Sequence, residues 1–370
     1  MQIDKQIGTE HEYSINDQDF NPLPISDKII QRISGTIEHE VRLGNILISK
    51  ELQKHVIELI PVKPGTISIL ENVLYKGLKD LYQLLNNQFR LLGLGMHPLL
   101  KLDQTTFWDH DEQEYYNAYD KLFNIKQHGW LNIQALQINI PYESKDNLVY
   151  LYNKLRSLLP YLVAISASSP FVEGKVASHA DSRLVYYREN QRLIPLICND
   201  ILPEEIQNVE DYICINRRIY KEIREHGVQN LCKEWVNSRG VIVRFTRRCL
   251  EIKAIDEQEC IHSDMAVSAF ILALIRCELN LDDDEDSLRS LLEKAIKYGT
   301  AKLQPELENI YRIVSKNTTR DEQKYMPLIK NRIESGSLAE IMAKRAREEG
   351  TIKPLLIDLE ASLRRNRSYI

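Results

Sequence analysis

Ile7-Gly8-Thr9-Glu10-His11-Glu12-Tyr13 sets two carboxylates two residues apart beside a glycine, inside a segment that reads as a strand over residues 2–15. Alternate residues of a strand share a face, so Glu10 and Glu12 point the same way. Such a pair binds hard cations, shares a proton with one pKa raised, or stands in solvent. The spacing by itself does not choose.

Other stretches repeat the pattern. In Gln137-Ile138-Asn139-Ile140 the two amides alternate with isoleucines, and in Cys249-Leu250-Glu251-Ile252-Lys253-Ala254 the polar residues alternate with apolar ones. Glu58 interrupts Val56-Ile57-Glu58-Leu59-Ile60. A buried charge without a partner is costly, so Glu58 and Glu251, inside apolar runs, need partners. A divalent cation shared with Glu10 and Glu12 satisfies all four. Carboxylates and amide oxygens suit Mg²⁺ or Mn²⁺ better than zinc, and Mg²⁺ held by several acids usually bridges substrate phosphates, which points to ATP. The chain carries neither G-x-x-x-x-G-K-[ST] nor G-x-G-x-x-G after a strand, so metals and Arg or Lys would hold the phosphates.

At 370 residues and a net charge of -5, the chain can bury a large core and lacks the basic footprint of a nucleic-acid or membrane-surface binder. Six dispersed cysteines form no C-x-x-C pair, poor spacing for zinc or a disulfide framework. Residues 1–8 lack a leader's basic and apolar regions, and no apolar run approaches the ~18 residues of a span, so a reducing cytoplasm is expected.

The pattern predicts a strand at Lys54–Ile60, a turn at Pro61–Gly65, and a helix with Val73, Leu74, Leu78, Leu81, Leu85, Phe89 and Leu92 on one face, stopped by Gly93 and Gly95. Ala135–Pro141 is expected as a strand and Leu148–Ala164 as a helix that Pro160 kinks or interrupts. Residues 166–200 read as a long polar loop with strand near Leu184–Tyr187, and residues 201–236 as two short helices. Strands are expected within Val241–Ile255 around a turn near Arg247. Ser263 is expected to cap a helix to Leu279, the acidic run 282–286 to be solvated, and the rest to be helical. Without a repeat or linker, the chain reads as one α+β domain, with a core of 1–280 carrying the motifs and a helical extension of 281–370.

These residues resemble the carboxylate-amine ligases related to glutamate-cysteine ligase. Gly8-Thr9-Glu10-His11-Glu12 is similar to the G-T-E-H-E of the plant-type enzymes, and Glu51 with Glu58 to the acid pair of the second strand. Gly95-Met96-His97-Pro98 is similar to G-T-H-P and Gln137-Ile138-Asn139 to Q-V-N. Ala167-Ser168-Ser169-Pro170-Phe171-Val172-Glu173-Gly174 resembles A-N-S-P-F-x-E-G, with Arg183 at the spacing of a substrate-contacting arginine. Cys249 to Asp256 is similar to T-x-E-x-R-x-x-D, with cysteine and lysine for threonine and arginine. The resemblance implies a glutamine-synthetase-like fold, a curved antiparallel sheet forming a funnel for ATP, metals and an amino acid, and ATP-dependent ligation of a carboxylate to an amine.

On that reading Glu10, Glu12, Glu51, Glu58 and Glu251 hold metals. Glu10, Glu12, Gln137, Asn139, Arg244 and Lys253 surround the nucleotide, Arg244 and Lys253 stabilise the transferring phosphoryl, and Arg183 holds a substrate carboxylate. Partners are small amino acids and amines, without nucleic acid or membrane, and a homo-oligomer stays open. Lys253 lacks the fork of an arginine. A catalytically weak relative that binds a nucleotide or amino acid as an interaction module is therefore a competing reading, as is a ligase acting on a peptide or carrier protein. His97 reads as a turn residue, Glu173 as a loop brace, Cys249 as a small strand residue, and His179 and Asp181 as solvated loop residues.

Overall fold

The computed structural model describes residues 6–369. Ten strands carry the β-structure: β1 (Gly8–Asn16), β2 (Glu40–Leu43), β3 (Ile46–Lys50), β4 (Val56–Pro61), β5 (Arg90–Leu92), β6 (Leu136–Pro141), β7 (Phe171–Val172), β8 (Lys175–Val176), β9 (Val241–Arg244) and β10 (Cys249–Ile252). Eight form one sheet in the order β2-β3-β4-β1-β6-β10-β9, with β5 also on β1, while β7 and β8 make a separate hairpin. Every pairing is antiparallel. The fold is α+β, as expected.

β1 is the hub. It pairs with β4 on one side, and on the other with β6 through its first half and β5 through its last three residues. Residues 2–5 of the expected first strand lie outside the described residues. The apolar face, carrying Tyr13, Leu59, Ile138, Leu250 and Val243, is fully buried. Helix Ile261–Arg276 packs on both Ile67–Leu84 and Lys145–Ser166, and the three share one hydrophobic core with this face. Helix Ile67–Leu84 sits so close to β3 that a Cβ on Gly77 would lie 2.4 Å from the Ile46 side chain. The six helices from Glu285–Tyr298 to Lys353–Arg365 continue the structure, helical as expected.

Several elements differ from expectation. Helix Ile67–Leu84 ends before Phe89 and Leu92 because Asn86 and Asn87 turn left-handed (φ 52° and 53°), a conformation Asn tolerates, and Leu92 joins β5. Pro160 does not stop Lys145–Ser166, whose flanking Leu158, Leu159, Leu162 and Val163 are buried and hold the helix across the missing N–H. Leu184–Tyr187 is not strand but part of helix Ser182–Glu189, started by Asp181, whose side chain accepts from Leu184 N at 2.8 Å. Asp181 is thus a buried cap rather than a solvated loop residue. Residues 209–225 form one helix opened by an Asn208–Asp211 capping box, followed by short 3₁₀ turns. Ser263 lies inside Ile261–Arg276, with Oγ on Glu259 Oε1 at 2.7 Å rather than on the backbone. The acidic run 282–286 is exposed, and Asp284 caps the next helix. Glu51 and Glu58 do not share a strand, since Glu51 follows β3 and Glu58 lies within β4.

Candidate active site

The register brings the polar positions to the face opposite the core. Glu12 faces Glu58, Glu10 faces Gln137, Gly8 and Glu251 each face Asn139, and Cys249 faces Arg244. Directly opposed residues of antiparallel strands point the same way. Five strands therefore deliver their polar side chains to one surface, part of which floors a cavity of about 560 Å³.

Glu12, Glu51 and Glu58 each offer an oxygen within 4.8 Å of the others. Glu12 accepts from Gln137 Nε2 at 3.0 Å and from Ala135 N at 2.9 Å. Burial raises its carboxyl to about 8, with repulsion from Glu51 adding to it. Burial also raises Glu51 to about 7 and pushes Glu58 well above the usual carboxylate range, with Glu10 as its next cause. Among the described residues none of the three has an ion pair, although Lys and Arg stand nearby. Three oxygen donors raised by mutual burial fit a hard divalent cation, which removes the cost of ionising them. The donor set lacks the sulfur and nitrogen ligands that favour zinc.

Cations ring the floor. Arg247 Nη1 pairs with Glu10 Oε1 at 2.5 Å, and Glu10 also accepts from Asn139 Nδ2 at 2.9 Å. Glu251 is ion-paired with Arg244 and lies 3.8 Å from Lys253 Nζ, yet its Oε1 accepts no hydrogen bond. Glu10, Glu12, Glu51, Glu58, Gln137, Arg183 and Lys253 line the cavity, whereas Asn139, Arg244 and Glu251 share the sheet face without lining it.

Arg183 explains three of the motifs at once. Its Nε donates to Asp256 Oδ1 at 2.5 Å and its Nη1 to Lys253 O at 3.2 Å, while the buried Nη2 has no partner. The other oxygen of Asp256 accepts from Ser168 N and Ser169 Oγ, each at 2.8 Å, and Ser168 Oγ accepts from Gly95 N at 2.8 Å. A Cβ on Gly95 would lie 2.2 Å from Asp256 Cγ, so glycine is required there. The stretches around 95, 168 and 256 thus form one buttress behind a buried guanidinium. Behind β1, Glu257 Oε2 accepts the Glu12 backbone N–H at 3.1 Å and fixes the strand where its pairing with β6 ends. Elsewhere, His97 is buried in its turn, Cys249 is a buried strand residue, and Glu173 braces His128 at 3.2 Å.

Sequence reasoning missed Arg247, Glu257 and an aromatic wall of Tyr115, Tyr119, Trp130, Tyr187 and Trp235. Arg247 carried a signal, a basic residue in the turn between two polar-faced strands. The aromatics carried none, being scattered over residues 115–235.

Comparison with known proteins agrees with the motifs. The sequence model of glutamate-cysteine ligase family 2 (GCS2) matches residues 6–356. An uncharacterized protein of Archaeoglobus fulgidus is 49% identical over 98% of this chain and 100% of its own length. Glutamate–cysteine ligases of Natronomonas pharaonis and Haloferax volcanii are 28% and 26% identical over 45% and 60% of this chain, and the matched stretches span 44% and 58% of those proteins. A crystal structure of the glutamate–cysteine ligase of Francisella tularensis in complex with AMP superposes with a TM-score of 0.74 at 11% identity, covering 99% of this chain and 89% of that one. That likeness shows the fold expected from the resemblance. No helix among the described residues is long and apolar enough to cross a membrane.

Proposed function

The chain belongs to glutamate-cysteine ligase family 2, and on that footing we propose that it is an ATP-dependent ligase that joins a carboxylate to an amine, making an amide or γ-glutamyl bond. One observation carries the reading. Glu12, Glu51 and Glu58 stand within 4.8 Å of one another without a cationic partner, on the floor of a cavity that also holds Arg183 and Lys253.

A carboxylate is a poor acyl donor, and phosphorylation activates it. Its oxygen attacks the γ-phosphorus of ATP, the bond to the bridging oxygen breaks, and ADP leaves with the electron pair. The unprotonated amine then adds to the acyl carbon, the carbon–oxygen bond to phosphate breaks, and phosphate departs as the nitrogen loses a proton. Phosphoryl transfer of this kind depends on positioning and charge neutralisation.

Arg183, rigid against Asp256, pairs its free Nη2 with a substrate carboxylate. Lys253 exchanges Glu251 for phosphate oxygens, and Arg247 can do the same from Glu10, while Arg244, outside the cavity lining, stays paired with Glu251. Gln137 and Asn139 orient Glu12 and Glu10. Glu12, Glu51 and Glu58, with Glu10 and Glu251 beside them, would hold Mg²⁺ or Mn²⁺, which when bound neutralises the phosphate charge. Small amino acids and amines are the expected partners.

The test is ADP and phosphate release with Mg²⁺ against pooled carboxylates and amines, followed by the mass of the product. Turnover requiring both substrates and lost in Glu12→Gln supports the ligase. ATP binding without turnover in every pool would leave the binding-module reading in its place.

A further inference from the structure

Six of the twenty-five residues lining the cavity are Tyr or Trp, in a chain that is 8% aromatic. They are grouped. Tyr115 packs edge-on to Trp235 with ring centres 5.8 Å apart, Trp235 lies 6.1 Å from Tyr119, and Tyr119 lies 4.8 Å from Trp130. From the other side, Arg183, Tyr187 and Gln191 follow one another at four-residue spacing on helix Ser182–Glu189 and the turn after it. One wall thus presents a guanidinium, a continuous aromatic surface and amides. The buried Gln191 Oε1 and Gln134 Oε1 accept no hydrogen bond, and Trp130 Nε1 donates none.

We propose that this wall is the specificity subsite for the amine substrate and selects a primary amine with a planar aromatic body. The proposal rests on the ligase reading above and names the substrate class of the same site. Offset and edge-to-face ring contacts reward an aromatic occupant beyond the area it buries. The unpaired amide oxygens of Gln134 and Gln191 accept from the N–H or O–H donors of such a molecule. A small amine such as cysteine leaves most of the wall uncovered.

Adenine is the competing occupant, because it too stacks on rings. The arrangement of charge favours the amine. Among the cavity's basic residues, Arg247 and Lys253 flank β10, in the turn before it and directly after it, and Lys50 comes from β3, whereas the wall helices Gln113–Phe123, His128–Leu131 and Ser182–Glu189 contribute only Arg183. The cations suited to a polyphosphate therefore approach from the sheet, and the wall stands on the side of the carboxylate-binding guanidinium.

The experiment measures kcat/KM of the full chain with ATP, Mg²⁺ and L-glutamate for L-phenylalanine, L-tyrosine and 2-phenylethylamine against L-cysteine and glycine, together with KM for ATP. Wild type and the partly exposed wall variants Tyr115→Leu and Trp235→Leu are compared, with thermal melts to establish folding. The expected result is a preference of about tenfold or more for the aromatic amines, ~1.4 kcal/mol, lost in both variants while KM for ATP stays within about twofold. A preference for cysteine or glycine overturns the proposal and leaves the ligase intact. An equal rise in KM for ATP in the variants assigns the wall to adenine and also overturns it. Failure to release ADP with any amine, both with L-glutamate and with the pooled carboxylates in its place, refutes the ligase reading itself, and the subsite with it.

Discussion

Replacing Glu12 by glutamine removes one buried carboxyl while keeping its shape, and its effect on stability reverses with pH. In the folded chain burial and Glu51 raise the Glu12 carboxyl from 4.5 to about 8. A carboxyl raised on folding is neutral in both states below its unfolded pKa. Its stability contribution is therefore complete below about pH 4.5 and is lost as the pH rises through about 8. Holding that carboxyl near 8 rather than 4.5 corresponds to a difference on the order of 5 kcal/mol. Glutamine escapes that loss but meets two donors, Gln137 Nε2 and Ala135 N, and mismatching one costs about 1–2 kcal/mol. In EDTA the variant should melt below wild type at about pH 5, by roughly 1–2 °C, and above it at about pH 9, by roughly 3–4 °C, since a chain of this length shifts roughly 1 °C per kcal/mol. Excess Mg²⁺ should stabilise wild type at the higher pH and close the gap, with much less effect on the variant. Scanning fluorimetry across pH, with and without Mg²⁺, reads all of this. A variant equally destabilised at every pH, with the same response to Mg²⁺, would refute the argument that these carboxyls are poised for a cation.

Arg183→Ala strips a fully buried Asp256 of its counter-ion and should cost about 3–5 kcal/mol, seen as a lowered melting temperature that Asp256→Asn in the same chain partly restores. An unchanged melt would disprove the buttress. Arg247→Ala removes a half-exposed partner of Glu10, so stability should move by less than about 1 kcal/mol while KM for ATP rises several-fold. An unaltered KM in steady-state kinetics would remove Arg247 from the phosphate site. Gly95→Ala drives a Cβ to 2.2 Å from Asp256, and soluble yield and melting temperature should fall sharply. A fully stable Gly95→Ala chain would show that the turn can move away.

The alternation of charged and apolar residues around Glu10, Glu12, Glu58, Gln137, Asn139 and Glu251 was legible because a strand has period two and the core rejects unpaired charge. That rule places the polar side chains of each strand on one face of that strand. Helix starts at Asp181 and Asn208 were local signals too, present in the chain and passed over. What no local pattern contains is which strands lie side by side. Pairing across β1 set Glu12 opposite Glu58, and the end of β3 brought Glu51 to them from outside the motif strand. Chain closure in space likewise joined residues near 95, 168 and 256 behind Arg183, and raised an aromatic wall from rings scattered over residues 115–235. The sequence by itself determined the chemistry of the face, since side-chain direction follows from backbone period. The tertiary structure alone decided which groups meet, because long-range pairing and packing set those distances.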